Sequence, residues 1–303
     1  MVKGSFFHNY FYGKSGKKDF TESDLPGTRL QLFGTVLSVR RGGMLSLNLL
    51  YLLFWIPAIL WTGLNLIHLS SLAAASAESL AVPGLDNLIY SWLLVMFPLS
   101  SLTGPFNMGV STVMRNWARD EHSFVWMDFW AGVRANWKQG LLFGLINGAA
   151  PLLAYVCFSF YSQLAGQSLI FYLPLAVILI AAVFWTMMAL LLPTMLISYE
   201  LRFGTALKNA LLMTLAALPR AFGALIATHA LPLILVLAFL FVPGWLNWLT
   251  PIVLLFFGLF GLSFNKLIAA SYANALCEKY LNTKIDGARV GIGLRSASET
   301  KLD

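Results

Sequence analysis

The chain has 303 residues, of which 58% are hydrophobic and 11% charged, and its formal net charge is +7. A water-soluble domain carries about 25% charged residues, so the composition excludes one and makes lipid the solvent. The basic balance needs no nucleic-acid partner, because anionic headgroups of an inner leaflet suffice.

The first 20 residues, MVKGSFFHNYFYGKSGKKDF, are polar, basic and aromatic. They lack the apolar centre and small-residue cleavage site of a secretory signal. GKSGKK (13–18) lacks the spacing and preceding strand of a phosphate-binding loop and reads as a basic arm near lipid. Six apolar runs follow, at about 43–66, 88–113, 140–162, 169–197, 221–242 and 249–272. At about 1.5 Å per residue each can cross a hydrocarbon layer of about 30 Å. Backbone in lipid must satisfy its own hydrogen bonds, and separate runs of this length do so as helices. The expected fold is an all-α polytopic bundle. It divides into an arm and amphipathic segment (1–42), a six-helix membrane domain (43–276) and a tail (277–303).

The loops at about 67–87, 163–168 and 243–248 contain no Lys or Arg, so all 20 basic residues fall on the opposite side. Only Glu78 and Asp86 lie with those loops. Positive charge collects on the cytoplasmic face, which places both termini inside the cell and the protein in the plasma membrane. Trp61, Trp92, Trp245 and Trp248 fall near outer span ends, and Trp117, Trp126, Trp130 and Trp137 near inner ones, as indole prefers. Trp55 and Trp185 fall deep.

Three cytoplasmic segments share a pattern: LFGTVLSVRRG (32–42), DFWAGVRANWKQG (128–140) and RFGTALKNALL (202–212). Each sets an aromatic, a small residue and an aliphatic at steps of two, as Phe33/Thr35/Leu37, Phe129/Ala131/Val133 and Phe203/Thr205/Leu207. The spans that follow carry Pro57, Pro151 and Pro232. A three-fold repeat of amphipathic helix plus two spans would produce this. So would the shared demands on any helix returning to lipid.

The densest polar stretch is GPFNMGVSTVMRNWARDEHSFVWMDFW (104–130). Pro105 should break the second span at Gly104–Pro105. Gly109 with Ser111 or Thr112 gives a small face for close packing. Arg115 and Arg119 emerge one turn apart. Trp126, Phe129, Trp130, Val133 and Trp137 then share a helical face, away from Asp128, Arg134, Lys138 and Gln139. That describes an interfacial helix, along the leaflet or tucked under the bundle, with Ser123 as its N-cap.

Motifs for catalysis are not found. Cys157 and Cys277 lack metal-ligand spacing and fall too far apart for a disulfide, so no metal, cofactor or enzymatic activity is expected. Lys266 is the nearest charge to the membrane interior and can snorkel outward. Asn107, Asn147 and His229 fall within spans. They either lock helices together or line a polar cavity with Thr103 and Ser111. The prolines at 57, 98, 105, 151, 174, 193, 232 and 251 fit kinked helices around a cavity or helices that merely pack.

Gly104, Pro105, Gly109, Arg115, Arg119, Glu121, Phe124, Trp126, Asp128, Phe129, Asn136, Trp137, Lys138 and Gln139 together resemble the signature of the YesL-type family of bacterial integral membrane proteins. That family occurs mainly in Gram-positive bacteria and its function is unknown. The resemblance is specific over about 100–145 and implies a setting beside carbohydrate uptake and saccharide-degrading systems, with no reaction to carry over. The expectation is a non-enzymatic accessory of a carbohydrate importer or sensor. It would dock through Arg115, Arg119, Glu121, Trp126, Asp128, Phe129, Asn136 and Trp137. The alternative is a transporter or channel subunit for a small neutral solute such as a saccharide.

Overall fold

The computed structural model describes residues 25–75 and 84–295, so the basic arm, Glu78 and the end of the tail lie outside it. Among the described residues every regular element is helical. In chain order these are α1 (Arg29–Val39), α2 (Arg41–Leu53), α3 (Ile56–Ala75), α4 (Leu85–Leu102), α5 (Gly104–Trp117) and α6 (Val125–Ala165). Then come α7 (Tyr172–Ser198), α8 (Phe203–Ala216), α9 (Leu218–Phe241), α10 (Leu246–Phe256) and α11 (Leu262–Tyr280). A π-helical turn, Phe257–Gly261, joins α10 to α11. Five helical stretches are long and apolar enough to cross a membrane, and six if α2 and α3, bent by 67°, form one span. The chain is thus an all-α polytopic membrane protein.

The bundle closes along a seam of glycines. A Cβ on Gly104 would lie 2.1 Å from the carbonyl oxygen of Gly140, and one on Gly144 would lie 2.3 Å from that of Ser101. On Gly148 it would meet the Phe97 carbonyl at 2.7 Å, and on Gly132 the Thr112 hydroxyl at 2.3 Å. The seam on α6 repeats every four residues, at Gly132, Asn136, Gly140, Gly144 and Gly148. One stripe of that helix therefore lies against α4 and α5 with backbone touching backbone. Lipid offers no hydrophobic drive for helix association, so dispersion at this close approach supplies it.

Two clusters of buried side chains flank α5. One joins Leu32 and Val36 of α1, Leu47 and Tyr51 of α2, Trp117 of α5, Phe129 of α6 and Leu267 of α11. The other joins Met108 of α5, Phe143 of α6, Leu191 and Met195 of α7, Ala210 of α8 and Leu276 of α11. Trp117, expected as an interfacial anchor, is instead a core residue at 2% exposure, its ring against Gly43. Trp245 and Trp248 stay exposed, as a belt requires.

Two of the breaks lie beside prolines, and a third, a π turn, is met by a side chain. Pro57 cannot donate to the Leu53 carbonyl, and the chain turns at Phe54 and Trp55 with bonds to Tyr51 (3.1 Å) and Leu52 (2.9 Å). The second span breaks at Thr103, not at Gly104–Pro105, because proline is tolerated in the first turn of a new helix. Other prolines, such as Pro98, Pro151 and Pro232, sit inside continuous helices. At the π turn, fully buried Asn48 of α2 donates to the carbonyls of Phe257 (3.0 Å) and Gly258 (2.9 Å). Its Oδ1 accepts the Ser263 N–H at 3.0 Å.

Three short helices enter their spans through elbows of closely similar backbone: Arg40 (φ −103°, ψ 25°), Asn136 (φ −123°, ψ 16°) and Ala217 (φ −127°, ψ 36°). Asn136 lies within α6, whose first part is therefore a separate surface segment. Pro151 and Pro232 stand at the same distance past their elbows. Phe33 and Phe129 precede theirs equally, whereas Phe203 sits about two turns further back because α8 is longer. These are the three segments whose pattern the sequence repeats.

Gly144→Ala should lower stability by about 2 kcal/mol, the scale of core overpacking. Gly223→Ala, where a methyl meets open space, should be neutral or slightly stabilising. Thermal unfolding of both in one detergent checks the contrast.

Candidate docking surface at the basic end

The basic segments meet at one end of the bundle. Arg29 of α1 donates to the carbonyls of Ala118 (3.2 Å) and Ile292 (2.9 Å) and pairs with Glu278 of α11. The Arg295 N–H bonds to the Pro26 carbonyl at 3.0 Å. Arg40 approaches Asp120 at 4.0 Å and covers the Trp117 ring at 5.8 Å from its centroid. One partly buried guanidinium, on Arg29, thus ties α1, the end of α5, α11 and the C-terminal segment.

Residues 118–124 form a tight turn between α5 and α6. Asp120 has φ 57°, a left-handed conformation that Asp tolerates better than most residues. Gly293 (φ +77°) packs on this turn, where a Cβ would lie 2.5 Å from the Arg119 carbonyl. The N-cap of α6 is Phe124, not Ser123. Asp128 reaches back instead, accepting the Ser123 hydroxyl at 2.5 Å and the Phe124 N–H at 2.9 Å. A carboxylate there satisfies an orphan donor and complements the positive helix end.

The face expected to carry five aromatic and aliphatic residues divides. Phe129 is fully buried and Val133 nearly so, pressed onto α5 around Gly109. Trp126 and Trp137 are 63% and 49% exposed. The helix is therefore tucked under the bundle. Phe129 is a core residue and not part of an exposed docking face, because the close approach at Gly109 seats its ring. Trp130 leans on Phe54 and Phe106, themselves stacked at 3.5 Å.

Past the elbow lies a cavity of about 860 Å³, open to the surface, between residues 135–139 of α6 and 196–202. Asn136, Trp137, Lys138, Tyr199, Glu200 and Arg202 are among its lining residues. Gln139 donates to the Leu201 carbonyl at 3.0 Å and Arg115 to the Ile197 carbonyl at 3.1 Å, fixing the far wall at the end of α7. Arg115 also forks onto the Asn116 amide oxygen at 3.1 and 2.7 Å. Burial, then neighbouring Arg119, pull the Arg115 guanidinium below its ordinary range, with Glu121 and Asp128 opposing. Burial holds the Tyr199 hydroxyl well above its usual value, so it remains a donor, to Asn282 at 2.5 Å.

Of the expected docking residues, only Asn136 and Trp137 line this cavity. Arg115 braces its wall, Arg119 is partly buried in the turn after α5, Asp128 caps α6, and Glu121 lies in the same turn. Trp126 is exposed outside the cavity lining. Lys138, Tyr199, Glu200 and Arg202 were missed as lining residues. The elbow at Asn136 brings them together, and its signal was the break in amphipathic pattern before Gly140.

The expected polar cavity does not assemble. Asn107 is buried on α5, but Asn147 is exposed and accepts from Trp185 Nε1 at 3.3 Å. His229 is exposed too and bonds to the Leu225 carbonyl of its own helix at 3.1 Å. None of the described cavities holds these three residues. Lys266 does not snorkel outward; its ammonium turns inward to Asn107 Oδ1 at 2.8 Å.

A family described as "Protein of unknown function, DUF624" matches the chain over residues 44–158. The matched stretch runs from α2 into α6. It takes in the glycine seam, Asn48, Asn107, Arg115 and the elbow at Asn136. No curated protein and no solved structure matches the chain.

Trp137→Cys should react rapidly with a water-soluble maleimide in detergent, and Phe129→Cys should react at least tenfold more slowly. Equal rates would mean that the first turns of α6 do not pack on α5.

Proposed function

We propose that this protein is a non-enzymatic membrane accessory that docks a partner at its basic end, which faces the cytoplasm. The cavity between α6 and the end of α7 carries the reading. It is roomy, opens at the surface, and combines an exposed indole with two cations, Lys138 and Arg202, and one carboxylate, Glu200. Its walls are pinned by Gln139 and Arg115. A rigid aromatic anchor ringed by charge suits an extended segment bearing an apolar side chain and acidic neighbours. The 20-to-0 division of basic residues favours an orientation with this end inside the cell. Anionic lipids then crowd its rim and hold it at the leaflet surface.

The resemblance of residues 100–145 to the YesL-type family suggests a partner in carbohydrate uptake or sensing; the match over 44–158 is to a family of unknown function and names no partner. A sugar-conducting role has less support. Of the amides and imidazole that would line such a path, two face outward and the third is held by Lys266.

A photo-crosslinker replacing Trp137 in native membranes should join the protein to a component of a carbohydrate import or sensor complex. The same group at Trp245 should not. Trp137→Ala with Lys138→Glu, tested with the crosslinker at Arg202, should cut the yield about tenfold. Crosslinks at position 137 to lipid alone, or to a second copy of this chain, would defeat the proposal.

A further inference from the structure

Lys266 lies in α11, within the last span, and points at α5. An ammonium inside a lipid-immersed bundle is costly unless something of opposite charge accompanies it. Its one partner among the described residues is neutral, the Asn107 amide oxygen at 2.8 Å. That oxygen also accepts the Ser111 hydroxyl at 3.2 Å. The described carboxylates Asp86, Asp120, Glu121, Asp128, Glu200, Glu278 and Asp286 make no ion pair with Lys266. Glu278 is engaged by Arg29, and Asp120 lies beside Arg40.

The balance of donors and acceptors is one-sided. Asn107 has one amide oxygen, and two donors already occupy it. Two Lys266 N–H groups and the Asn107 amide N–H₂ remain, with no partner among the described residues. Every one of these is a donor. Toward the basic end α5 carries Arg115, one turn beyond Ser111, and no carboxylate. Neighbouring Met108, Leu267 and Ala270 are apolar and buried.

We infer that Lys266, Asn107 and Ser111 form a binding site for a compact inorganic anion of halide size, the missing counter-ion of Lys266. The bound ion accepts from Lys266 Nζ and Asn107 Nδ2, while Ser111 fixes the amide through its oxygen. This helix-packed position suits a monatomic ion, whereas the large cavity lies apart, at the basic end. The inference does not depend on the docking proposal, because Lys266, Asn107 and Ser111 are not among the residues lining that cavity.

The test is thermal unfolding of the full-length protein in detergent, in sodium chloride against sodium gluconate at equal ionic strength. The wild-type chain should melt about 3 °C higher in chloride, the scale of saturating one weak site on a chain of this size. Lys266→Met should melt alike in both salts. Asn107→Asp supplies an internal carboxylate in place of the ion. It should also melt alike in both, and in gluconate at or above the wild-type value in chloride. Equal wild-type melting in the two salts overturns the site, as does a chloride response that survives in Lys266→Met. Should Lys266→Met fail to fold, a chloride response persisting in Asn107→Asp overturns it equally.

Discussion

The close approach of α6 to α4 and α5 determines the rest of this molecule. Without side chains at Gly104, Gly140 and Gly144, carbonyls and Cα atoms of facing helices meet at van der Waals distance. That contact fixes α5 along its length and leaves its other faces to pack on α2, α7 and α11. The two apolar clusters divide there, one toward α1 and α2, the other toward α7 and α8. The elbow at Asn136 occupies the next small-residue position of the same stripe, so the seam also aims the surface segment that bears Trp126.

Much of the architecture is legible in the sequence because lipid is an unforgiving solvent. A 20-residue apolar run has no other way to satisfy its backbone, so the spans could be read directly. The three elbows were foreshadowed by the Phe-small-aliphatic pattern. The seam was only half visible: Gly109 drew notice, whereas the four-residue spacing of Gly140, Gly144 and Gly148 is plain only once its partner helix is known. Side-chain direction was the least legible. Phe129 and Trp126 stand three residues apart on nominally one face, yet a neighbouring glycine draws one into the core. Lys266 could as well have reached outward, and only the position of Asn107 on another helix decides that it turns inward.

A second regularity concerns the helix ends. At four places where the intrahelical ladder fails, a polar side chain from elsewhere in the chain meets the backbone. Asn48 serves the π turn, Arg115 the end of α7, Gln139 the segment after it, and Arg29 the end of α5. An unsatisfied backbone group in a buried setting costs about 1–3 kcal/mol, so these few residues matter out of proportion to their number. They also explain why polar residues in such an apolar chain need no catalytic role to be retained.

Asn48 has a consequence for how the protein is made. Its carbonyl partner at Phe257 lies 209 residues further along the chain. Chains are synthesised from the N-terminus at about 5–20 residues per second, so α2 can reach the bilayer well before α10 and α11 exist. Through that interval its carboxamide has only provisional company, such as water, lipid headgroups or the insertion machinery. The first span therefore gains these contacts only when the final span, α10 with α11, arrives and releases it from its escort.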